Sequence, residues 1–450
     1  MQATVLAFGA RGDVQPLLAL ASGLRAAGHR VRFTTETVFQ KAAISAGFEY
    51  YEIPGESEKF FAGISGVAFR DSFERSPAYF EAFWRTCMVP NLREILRDVV
   101  APCEGSDFLV CLPYMTLGPS LSEKFGVPCF SAGVIPVPAF PTRHFRYPFL
   151  NELSQTLTPE QNLTSWQRAE PFVRAVYGLI QDWRRETLNL PFQTFDEYNA
   201  QCRSTPHLFG WSPALVPRPS DWESQWSVTG FWLLNQTSDY SPPHELQDFL
   251  NAGEPPLLIG FSSNVASNPE RLTRTVTGAL DMCGKRGILI SGWGGLKNSG
   301  LPSFVFGISN VPHQWLLPRV SAAVHHGGCG TVGVCVHTGT PQVIVAFGYD
   351  QTFWGERVAK AGLGPWPLMA KTVTTEQLAD SIRRATEDKQ IAMRAAEVSA
   401  MVADEDGVGN AVREIEQMLA AEVCESRDNG PFTVKRKSLS GSAGCNRNSH

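Results

Sequence analysis

ATVLAFGARGDVQPLLALASGLRAAG, residues 3–28, decides the fold of this chain. Residues 3–8 form an apolar run typical of a buried strand, and residues 15–27 carry apolar side chains at helical spacing. Gly28 follows the last of them, where a helix commonly ends. The stretch therefore predicts a strand, a tight GARGD turn and a helix, which together form the first unit of a sheet covered by helices.

The same alternation continues in both halves of the chain. Apolar runs typical of buried strands recur at 108–113, 127–132, 257–262 and 342–347. Helix-like segments separate them, a rhythm typical of parallel sheets with helices on both faces. We therefore predict an α/β chain with two Rossmann-like, doubly wound domains.

These patterns also predict the division of the chain. We expect an N-terminal domain at 1–235, a polar and Pro-rich linker at 236–256, a second domain at 257–403, a C-terminal helix at 404–423 and a disordered tail at 424–450. The tail is rich in Ser, Gly, Asn and Lys, a composition that does not support a packed core. Two Phe-, Trp- and Pro-rich stretches, 55–90 and 135–200, interrupt the rhythm of the first domain.

Composition excludes several classes of protein. The 39 Lys and Arg residues against 44 Asp and Glu residues give a net charge of −5, without the basic surface that nucleic-acid binding needs. No apolar run reaches the ~18 residues of a membrane span, and the first residues lack the basic start of a signal peptide. The ten cysteines include no C-x-x-C pair. We therefore predict a cytoplasmic protein with reduced thiols, no zinc site, no nucleic-acid partner and no stable membrane insertion.

AAVHHGGCGTVG, residues 322–333, carries the strongest local signal of chemistry. A short apolar strand leads through glycines into a helix, whose free N–H groups and dipole favour an anion such as phosphate. Thr331 and the ring of His325 or His326 add further donors. The alternative is a tight turn in which glycine only permits close packing.

The same stretch contains G-x-G-x-x-G at Gly328, Gly330 and Gly333, with Asp350 seventeen positions after the last glycine. This spacing matches the dinucleotide fingerprint, in which the acidic side chain binds a ribose hydroxyl. That fingerprint usually opens its domain, whereas these glycines come late in the second half. An NAD-dependent oxidoreductase is therefore the weaker alternative function.

GARGDVQP, residues 9–16, places Asp13 directly after the first predicted strand. Open α/β sheets bind ligands at the carboxyl ends of their strands. A carboxylate there is ionised at neutral pH and can accept a proton. The alternative is that Asp13 only caps the helix that begins at Val14.

FGYDQTFWGERV, residues 347–358, places Asp350 and Gln351 between a strand and a helix. A carboxylate beside an amide can bind vicinal hydroxyls of a sugar through several hydrogen bonds. An N-capping role for Asp350 is the alternative here.

Seven segments in this order resemble the family 1 nucleotide-sugar glycosyltransferases of the GT-B fold, in particular the sterol 3β-glucosyltransferases and bacterial antibiotic glycosyltransferases. They are GARGDVQPLLALASGLRAAGH, PHLFGWSPALVPRPSDW, VTGFWLL, LLIGFSS, ISGWGGL, NVPHQWLLPRVSAAVHHGGCGT and FGYDQTFWGERVAKAGLGP. The resemblance implies two Rossmann-like domains that face each other across a cleft. It does not extend to the interrupting stretches of the first domain.

The resemblance also implies roles for individual residues. Asp13 lies where the family has its general base. The donor diphosphate would contact Ser263, His326, Gly328, Gly330 and Thr331. The uracil and nucleotide pocket would contain Trp293, Val311 and His313. The hydroxyls of the donor sugar would contact Asp350 and Gln351.

Together these roles imply an inverting O-glycosyltransferase. It would move a sugar, expected to be glucose, from a UDP-sugar to a hydroxyl of a hydrophobic acceptor such as a sterol, a terpenoid or a lipid-like secondary metabolite. No cofactor or metal is expected, because backbone amides and His326 would stabilise the leaving diphosphate. We expect a monomer. A catalytically silent nucleotide-sugar-binding protein is a further alternative, against which the retained Asp13, Asp350 and Gln351 argue.

Aromatic residues in the stretches 60–84 and 137–149 predict a large apolar acceptor pocket in the first domain. Its candidate residues are Phe80, Phe83, Trp84, Phe140 and Phe145. The alternative is that these rings fill the core of the domain. Sterol enzymes of the family often carry additional N-terminal membrane-targeting domains, whereas this sequence starts at its first predicted strand, which favours a soluble tailoring enzyme of secondary metabolism.

Overall fold

The computed structural model describes residues 1–57, 59, 77–114, 116–136, 140–150, 157–234, 240–262, 264, 268–292, 296 and 300–429. For residues 77, 78, 80 and 422–429 it describes the backbone alone. Within this part of the chain, no helix is both long enough and apolar enough to cross a membrane. Most of the predicted tail, 430–450, lies outside the described residues.

Two parallel sheets organise the described residues. The first contains β1 Gln2–Leu6, β2 Arg30–Thr35, β3 Glu49–Glu52, β4 Phe108–Cys111, β5 Cys129–Gly133, β6 His207–Phe209 and β7 Trp226–Val228. The second contains β8 Leu257–Gly260, β9 Gly287–Ile290, β10 Val305–Ile308, β11 Ala322–His325, β12 Gln342–Ala346 and β13 Leu368–Met369. The strand orders are β3-β2-β1-β4-β5-β6-β7 and β10-β9-β8-β11-β12-β13, with parallel pairing throughout both sheets. The predicted α/β class with two doubly wound domains is confirmed.

Helices connect the strands in both halves. The first half contains α1 Arg11–Ala26, α2 Gln40–Ser45, α3 Pro77–Phe83, α4 Val89–Asp98, α5 Gly118–Phe125, α6 Pro159–Ser165, α7 Glu170–Glu186 and α8 Phe195–Ser204. The second half contains α9 His244–Asn251, α10 Pro269–Cys283, α11 His313–Leu316, α12 Cys329–Thr338, α13 Gln351–Lys360, α14 Thr375–Glu387, α15 Lys389–Val402 and α16 Gly407–Asn429. Short 3₁₀ turns lie at Thr37–Phe39, Ala101–Cys103, Trp166–Ala169 and Leu317–Arg319, and a π-helical turn lies at Trp84–Met88.

The strand order of each sheet changes direction once. β1 lies between β2 and β4, and β8 lies between β9 and β11. Where the order changes direction, the connections diverge and leave a crevice beyond the carboxyl ends of the strands. Leu6 pairs with Cys111 and Gly260 pairs with His325, so the turns after these four strands meet at the two crevices.

The C-terminal helix α16 returns to the first domain. Its buried residues Ala411, Val412, Ile415 and Leu419 share one apolar core with α1. Gly23 of α1 permits this contact, because a Cβ there would collide with the side chain of Val408. The helix predicted at 404–423 therefore exists at slightly different bounds, and it covers the first sheet.

The segment after β7 and the segment before α16 touch each other. Gly230 lies on the first and Gly407 at the end of the second, and a Cβ at Gly407 would collide with the backbone of Gly230. Glu405 joins the two segments by accepting the Phe231 N–H at 3.1 Å and the Ser212 hydroxyl at 2.7 Å. Part of the predicted linker forms helix α9, whose Leu246 is buried in the core of the second domain.

A buried ion pair also joins the two domains. Arg146 of the first domain donates from Nη2 to Glu356 Oε1 at 3.0 Å and from Nε to Oε2 at 3.2 Å. The two side chains are only 3% and 1% exposed. Thr352 accepts a further bond from Arg146 Nη2 and donates to the carbonyl of Leu150 at 2.8 Å. These bonds fix α13 of the second domain against residues 146–150 of the first.

Removal of Arg146 alone should destabilise the protein, because it removes the guanidinium that makes two hydrogen bonds to the buried Glu356 carboxylate. We expect Arg146→Ala to lower the free energy of unfolding by about 3–5 kcal/mol in urea denaturation. Arg146→Met combined with Glu356→Leu should lower the free energy of unfolding less, because both members of the hydrogen-bonded pair are replaced by apolar side chains. Arg85→Ala, which breaks the exposed pair of Arg85 with Glu81, is the control and should change stability little. Equal losses for both alanine variants would contradict the assignment.

Candidate active site

A cavity of about 710 Å³ lies between the two domains, in the crevices at the carboxyl ends of the strands. The first domain contributes the turn between β1 and α1, the end of β2, the loop after β4 and an apolar wall. The second domain contributes the turns after β8, β9, β11 and β12. An apolar side and a side rich in glycines and polar groups therefore face one another.

Asp13 lies in the first turn of α1 and faces the cavity. Its Oδ2 accepts the backbone N–H of Ala10 and its Oδ1 accepts the hydroxyl of Tyr114, both at 2.8 Å. Gly9 is required here, since its φ is 113° and a Cβ would lie 2.8 Å from Asp13 Oδ2. Burial raises the pKa of Asp13 to about 6; the two hydrogen bonds oppose that shift and the charge of Glu36 adds to it.

Asp13 supports the start of helix α1, but it is not the residue that caps the helix. The helix begins at Arg11 with Ala10 as its capping residue, rather than at Val14 as predicted. Asp13 binds the backbone N–H of that capping residue while it lines the cavity. A structural role at the helix start and a chemical role in the cavity are therefore compatible.

Glu36, which no motif indicated, supports the same turn. It follows β2, is 1% exposed, and lines the cavity. Its Oε1 accepts the Gly9 N–H at 3.2 Å and its Oε2 accepts the Ser57 N–H at 2.8 Å. The available signal in the sequence was a charged residue placed directly after the buried strand RVRFTT.

The two adjacent histidines at the end of β11 differ in environment. His325 is fully buried; its Nδ1 accepts the Gly327 N–H at 3.2 Å, so its Nε2–H donates to Gln342 Oε1 at 3.0 Å. His326 lines the cavity. Burial, with the nearby His313, lowers the pKa of His326 to about 4. At neutral pH this ring is therefore an uncharged hydrogen-bond donor.

Helix α12 begins at the cavity. Its first helical bond runs from the Val332 N–H to the Gly328 carbonyl at 3.0 Å, so the amides of 329–331 precede the helical ladder. Gly330 lines the cavity, and a Cβ there would meet no atom within 4 Å. Packing inside the protein does not require glycine at this position. The open space beside it is therefore available to a ligand, and Thr331 adds a hydroxyl to the same lining.

Asp350 precedes α13, in the turn after β12, and faces the cavity. Its side chain accepts no hydrogen bond from the helix amides, so the N-capping alternative is wrong. Its Oδ2 instead accepts the indole N–H of Trp354 at 2.8 Å. Burial raises the pKa of Asp350 to about 7, and the charge of Asp13 contributes to the rise. The two carboxylates therefore influence each other across the cavity.

Gln351 connects two of the turns that line the cavity. Its Oε1 accepts the Phe347 N–H at 2.7 Å and its Nε2 donates to Asn264 Oδ1 at 3.0 Å. These bonds fix the turn after β12 against the turn after β8. Among the described residues these two bonds leave one amide hydrogen and one lone pair of Gln351 for a ligand.

The predicted nucleotide-pocket residues divide into three groups. His313 lines the cavity, and burial followed by the charge of Arg11 lowers its pKa to about 4. Val311 is 1% exposed and packs in the core of the second domain, while its neighbours Asn310 and Pro312 line the cavity, so its place in the nucleotide pocket stays a prediction. Ser263 and Trp293 lie outside the described residues.

Arg11 is a cavity residue that the motifs did not indicate. It is half-buried, and burial lowers the pKa of its guanidinium. It lines the cavity from the first domain and faces His313 of the second. Among the described residues, no group of three His, Cys, Asp or Glu side chains has the arrangement of a metal site. Metal-free chemistry stays a prediction.

The predicted acceptor residues are only partly at the cavity. Trp84 lines it, Phe83 is buried without lining it, and the side chain of Phe80 lies outside the described part of the chain. Phe140 packs between His207 and Trp226 with ring centroids at 4.4 and 4.6 Å, and Phe145 packs on Phe353 at 5.2 Å. The placement of Phe140 and Phe145 at the acceptor pocket was therefore wrong, because both rings fill the core.

Trp84 and eight further side chains form the apolar wall. They come from the π-helical turn, α4, the loop after β5 and the insertion that follows it: Met88, Leu92, Ile95, Val134, Ile135, Tyr147, Phe149 and Phe172. The spacing of Leu92 and Ile95 along a helix was a usable signal. Aromatic content alone could not show which rings face the cavity.

Comparison with known proteins identifies relatives over nearly the whole chain. Residues 3–98 match the glycosyltransferase family 28 N-terminal domain, and residues 294–420 match the erythromycin biosynthesis protein CIII-like C-terminal domain. Two sterol 3-beta-glucosyltransferases of Arabidopsis thaliana are 34% and 32% identical, over 92% and 94% of this chain. The chain spans 65% and 69% of those proteins, and 30% of a sterol 3-beta-glucosyltransferase of Aspergillus fumigatus to which it is 31% identical.

Solved structures confirm the predicted GT-B fold. The calicheamicin glycosyltransferase has a TM-score of 0.66 at 18% identity, with 94% of this chain and 98% of that chain covered. The glycotransferase of kitacinnamycin has a TM-score of 0.64 at 18% identity, with 92% and 98% covered. At this level of identity the likeness concerns the fold.

Gly330→Ala should impair diphosphate binding without affecting the fold, because the added methyl group would point into the open space at the start of α12. We expect the affinity for UDP to fall about tenfold or more in calorimetry, a loss of at least ~1.4 kcal/mol, with an unchanged melting temperature. Gly178→Ala is the matched control, since a Cβ there also meets no atom within 4 Å but lies on α7. Unchanged UDP affinity in Gly330→Ala would show that no phosphate approaches this turn.

Proposed function

Because the chain belongs to the GT-B glycosyltransferase family that includes the sterol 3-beta-glucosyltransferases, we propose that it transfers a sugar from a nucleotide donor to a hydroxyl of a bulky apolar acceptor. The observation that carries this proposal is the position of Asp13. Its half-buried carboxylate lies in one cavity with an apolar wall of the first domain and the anion-favouring helix start of the second. A base placed between an apolar alcohol and a phosphorylated sugar is what such a transfer needs.

In the proposed reaction, the acceptor oxygen attacks the anomeric carbon of the donor. Asp13 takes the proton of the acceptor hydroxyl as the new carbon–oxygen bond forms. The bond from the anomeric carbon to the diphosphate breaks on the opposite face, so an α-linked donor gives a β-glycoside. A pKa of about 6 suits this task, because the carboxylate is largely ionised at neutral pH and more basic than an exposed Asp.

The second domain would stabilise the leaving diphosphate. The amides of 329–331 and the dipole of α12 favour negative charge at the helix start. Thr331 and the neutral ring of His326 can add hydrogen bonds. Arg11 supplies a positive charge from the first domain, which makes charge stabilisation depend on both domains.

Asp350 would bind the donor sugar. Its Oδ2 is oriented by Trp354, and the carboxylate can accept bonds from vicinal sugar hydroxyls. Gln351 fixes the same turn and retains one donor and one acceptor site. UDP-glucose is our first choice of donor, and a sterol or a terpenoid alcohol our first choice of acceptor.

The location of the protein is also a proposal. The eight described cysteines, Cys87, Cys103, Cys111, Cys129, Cys202, Cys283, Cys329 and Cys335, are free thiols. Unpaired thiols are typical of a reducing compartment. This supports a cytoplasmic location.

The oxidoreductase alternative receives no support from the fold. The G-x-G-x-x-G glycines follow β11, which is the fourth strand of the second sheet in chain order. A dinucleotide fingerprint follows the first strand of its domain. If calorimetry showed tight binding of NAD and no binding of UDP, the oxidoreductase would become the better supported function.

Replacement of the proposed base should abolish turnover while leaving donor binding intact. We expect Asp13→Asn to lower kcat at least about 100-fold with UDP-glucose and a panel of sterols and terpenoid alcohols, with products detected by mass. The dissociation constant of UDP should stay within about twofold. Asp380→Asn, on the exposed face of α14, is the matched control. Largely retained turnover in Asp13→Asn would exclude Asp13 as the base.

The activity should rise with pH through the acid range. A general base acts in its ionised form, so kcat/KM should increase as pH rises through about 6 and then level off. At pH 5 we expect about a tenth of the plateau value. Since Asp13 and Asp350 interact, the measured midpoint belongs to the pair. A decrease of kcat/KM between pH 5 and 7 would contradict this assignment.

A further inference from the structure

The loop after β4 places a phenol beside the proposed base. β4 is the neighbour of β1, and the pairing of Leu6 with Cys111 aligns the carboxyl ends of the two strands. Three residues beyond β4, Tyr114 donates its hydroxyl to Asp13 Oδ1 at 2.8 Å. The Ala10 N–H holds Oδ2 at the same distance. Each oxygen of the carboxylate therefore has one fixed donor, and these two donors set its plane.

The surroundings of this bond keep the phenol in its donor form. Tyr114 is half-buried, and its pKa is raised well above its ordinary value, first by burial and then by the charges of Asp13 and Asp350. The pKa of Asp13 is raised first by burial and then by the negative charge of Glu36, which follows β2. Against burial and this like charge, the two hydrogen bonds favour the ionised carboxylate.

We propose that Tyr114 is a positioning residue for the general base. It orients the Asp13 carboxylate so that a remaining lone pair faces the acceptor hydroxyl, and it stabilises the ionised form that takes the proton. This proposal rests on the function proposed above. Tyr114 acts through Asp13 and transfers no proton itself.

Tyr177 provides a comparison, because its hydroxyl makes a purely structural hydrogen bond. The Tyr177 hydroxyl donates to the backbone carbonyl of Gln193 at 2.7 Å, and neither residue lines the cavity. That bond ties α7 to the segment before α8 and touches no titrating group. Tyr177→Phe is therefore a matched control for the loss of one phenolic hydrogen bond.

The first test needs no substrate. Carboxylate absorption in infrared titrations, with the Asp13 signal assigned by subtraction of Asp13→Asn, reports the midpoint of Asp13 in the full chain. Tyr114→Phe should raise that midpoint by about one to two pH units, since it removes a hydrogen bond to a charged group. Tyr177→Phe should leave it unchanged. An unchanged midpoint in Tyr114→Phe would overturn the proposal, and a melting curve checks that each variant is folded.

The second test uses turnover. A rise of one unit leaves about a tenth of Asp13 ionised at pH 6 instead of about half, so kcat should fall about fivefold there and recover at higher pH. The KM of the donor should stay unchanged. In the Asp13→Asn background, Tyr114→Phe should have no further effect, because it acts through the carboxylate.

If Tyr114→Phe lowered kcat by the same factor in the unmodified chain and in the Asp13→Asn variant, a positioning role would be contradicted. If the unmodified chain transfers no sugar to any acceptor, the proposed function fails. The infrared titration still decides the role of Tyr114 in that case, because it measures the carboxylate without substrates.

Discussion

Parallel pairing places the carboxyl ends of all strands of a sheet at one edge, and the rest of this molecule depends on that constraint. In both sheets the strand order changes direction beside the first strand, at β1 and at β8. The turns that follow the carboxyl ends of the strands in both sheets therefore meet at a single cavity. Asp13, His326 and Asp350 follow three different strands, β1, β11 and β12, and each is at the cavity because it lies beyond the carboxyl end of its strand.

Local patterns could predict this arrangement because strands such as β4 Phe108–Cys111 and β8 Leu257–Gly260 are short apolar runs. Pairings between distant segments could not be predicted, since no local signal joins Tyr114 to Asp13 or Arg146 to Glu356. Strands of three residues, such as β6 at His207–Phe209, are too short to show a period. Helix α7 at Glu170–Glu186 was missed although its apolar stripe was visible, because the stretch 135–200 was interpreted only as an insertion that interrupts the strand–helix rhythm.

Burial shapes the chemistry of the cavity as much as residue identity does. It makes His326 and His313 neutral at pH 7 and makes Asp13 and Asp350 weaker acids. Histidine therefore contributes hydrogen bonds rather than charge, and Arg11 places a positive charge beside His313 from the first domain. A cavity with weak acids and neutral rings is less charged than its composition indicates, which lowers the cost of admitting an apolar acceptor.

The contact between Gly230 and Gly407 has a mechanical consequence. Neither glycine has a Cβ, so the two segments can lie in contact, and Glu405 binds the Phe231 N–H and the Ser212 hydroxyl of the first domain. From Glu405 onward the chain is therefore anchored to the first domain. The return from helix α15, which ends at Val402, is confined to the two residues 403–404.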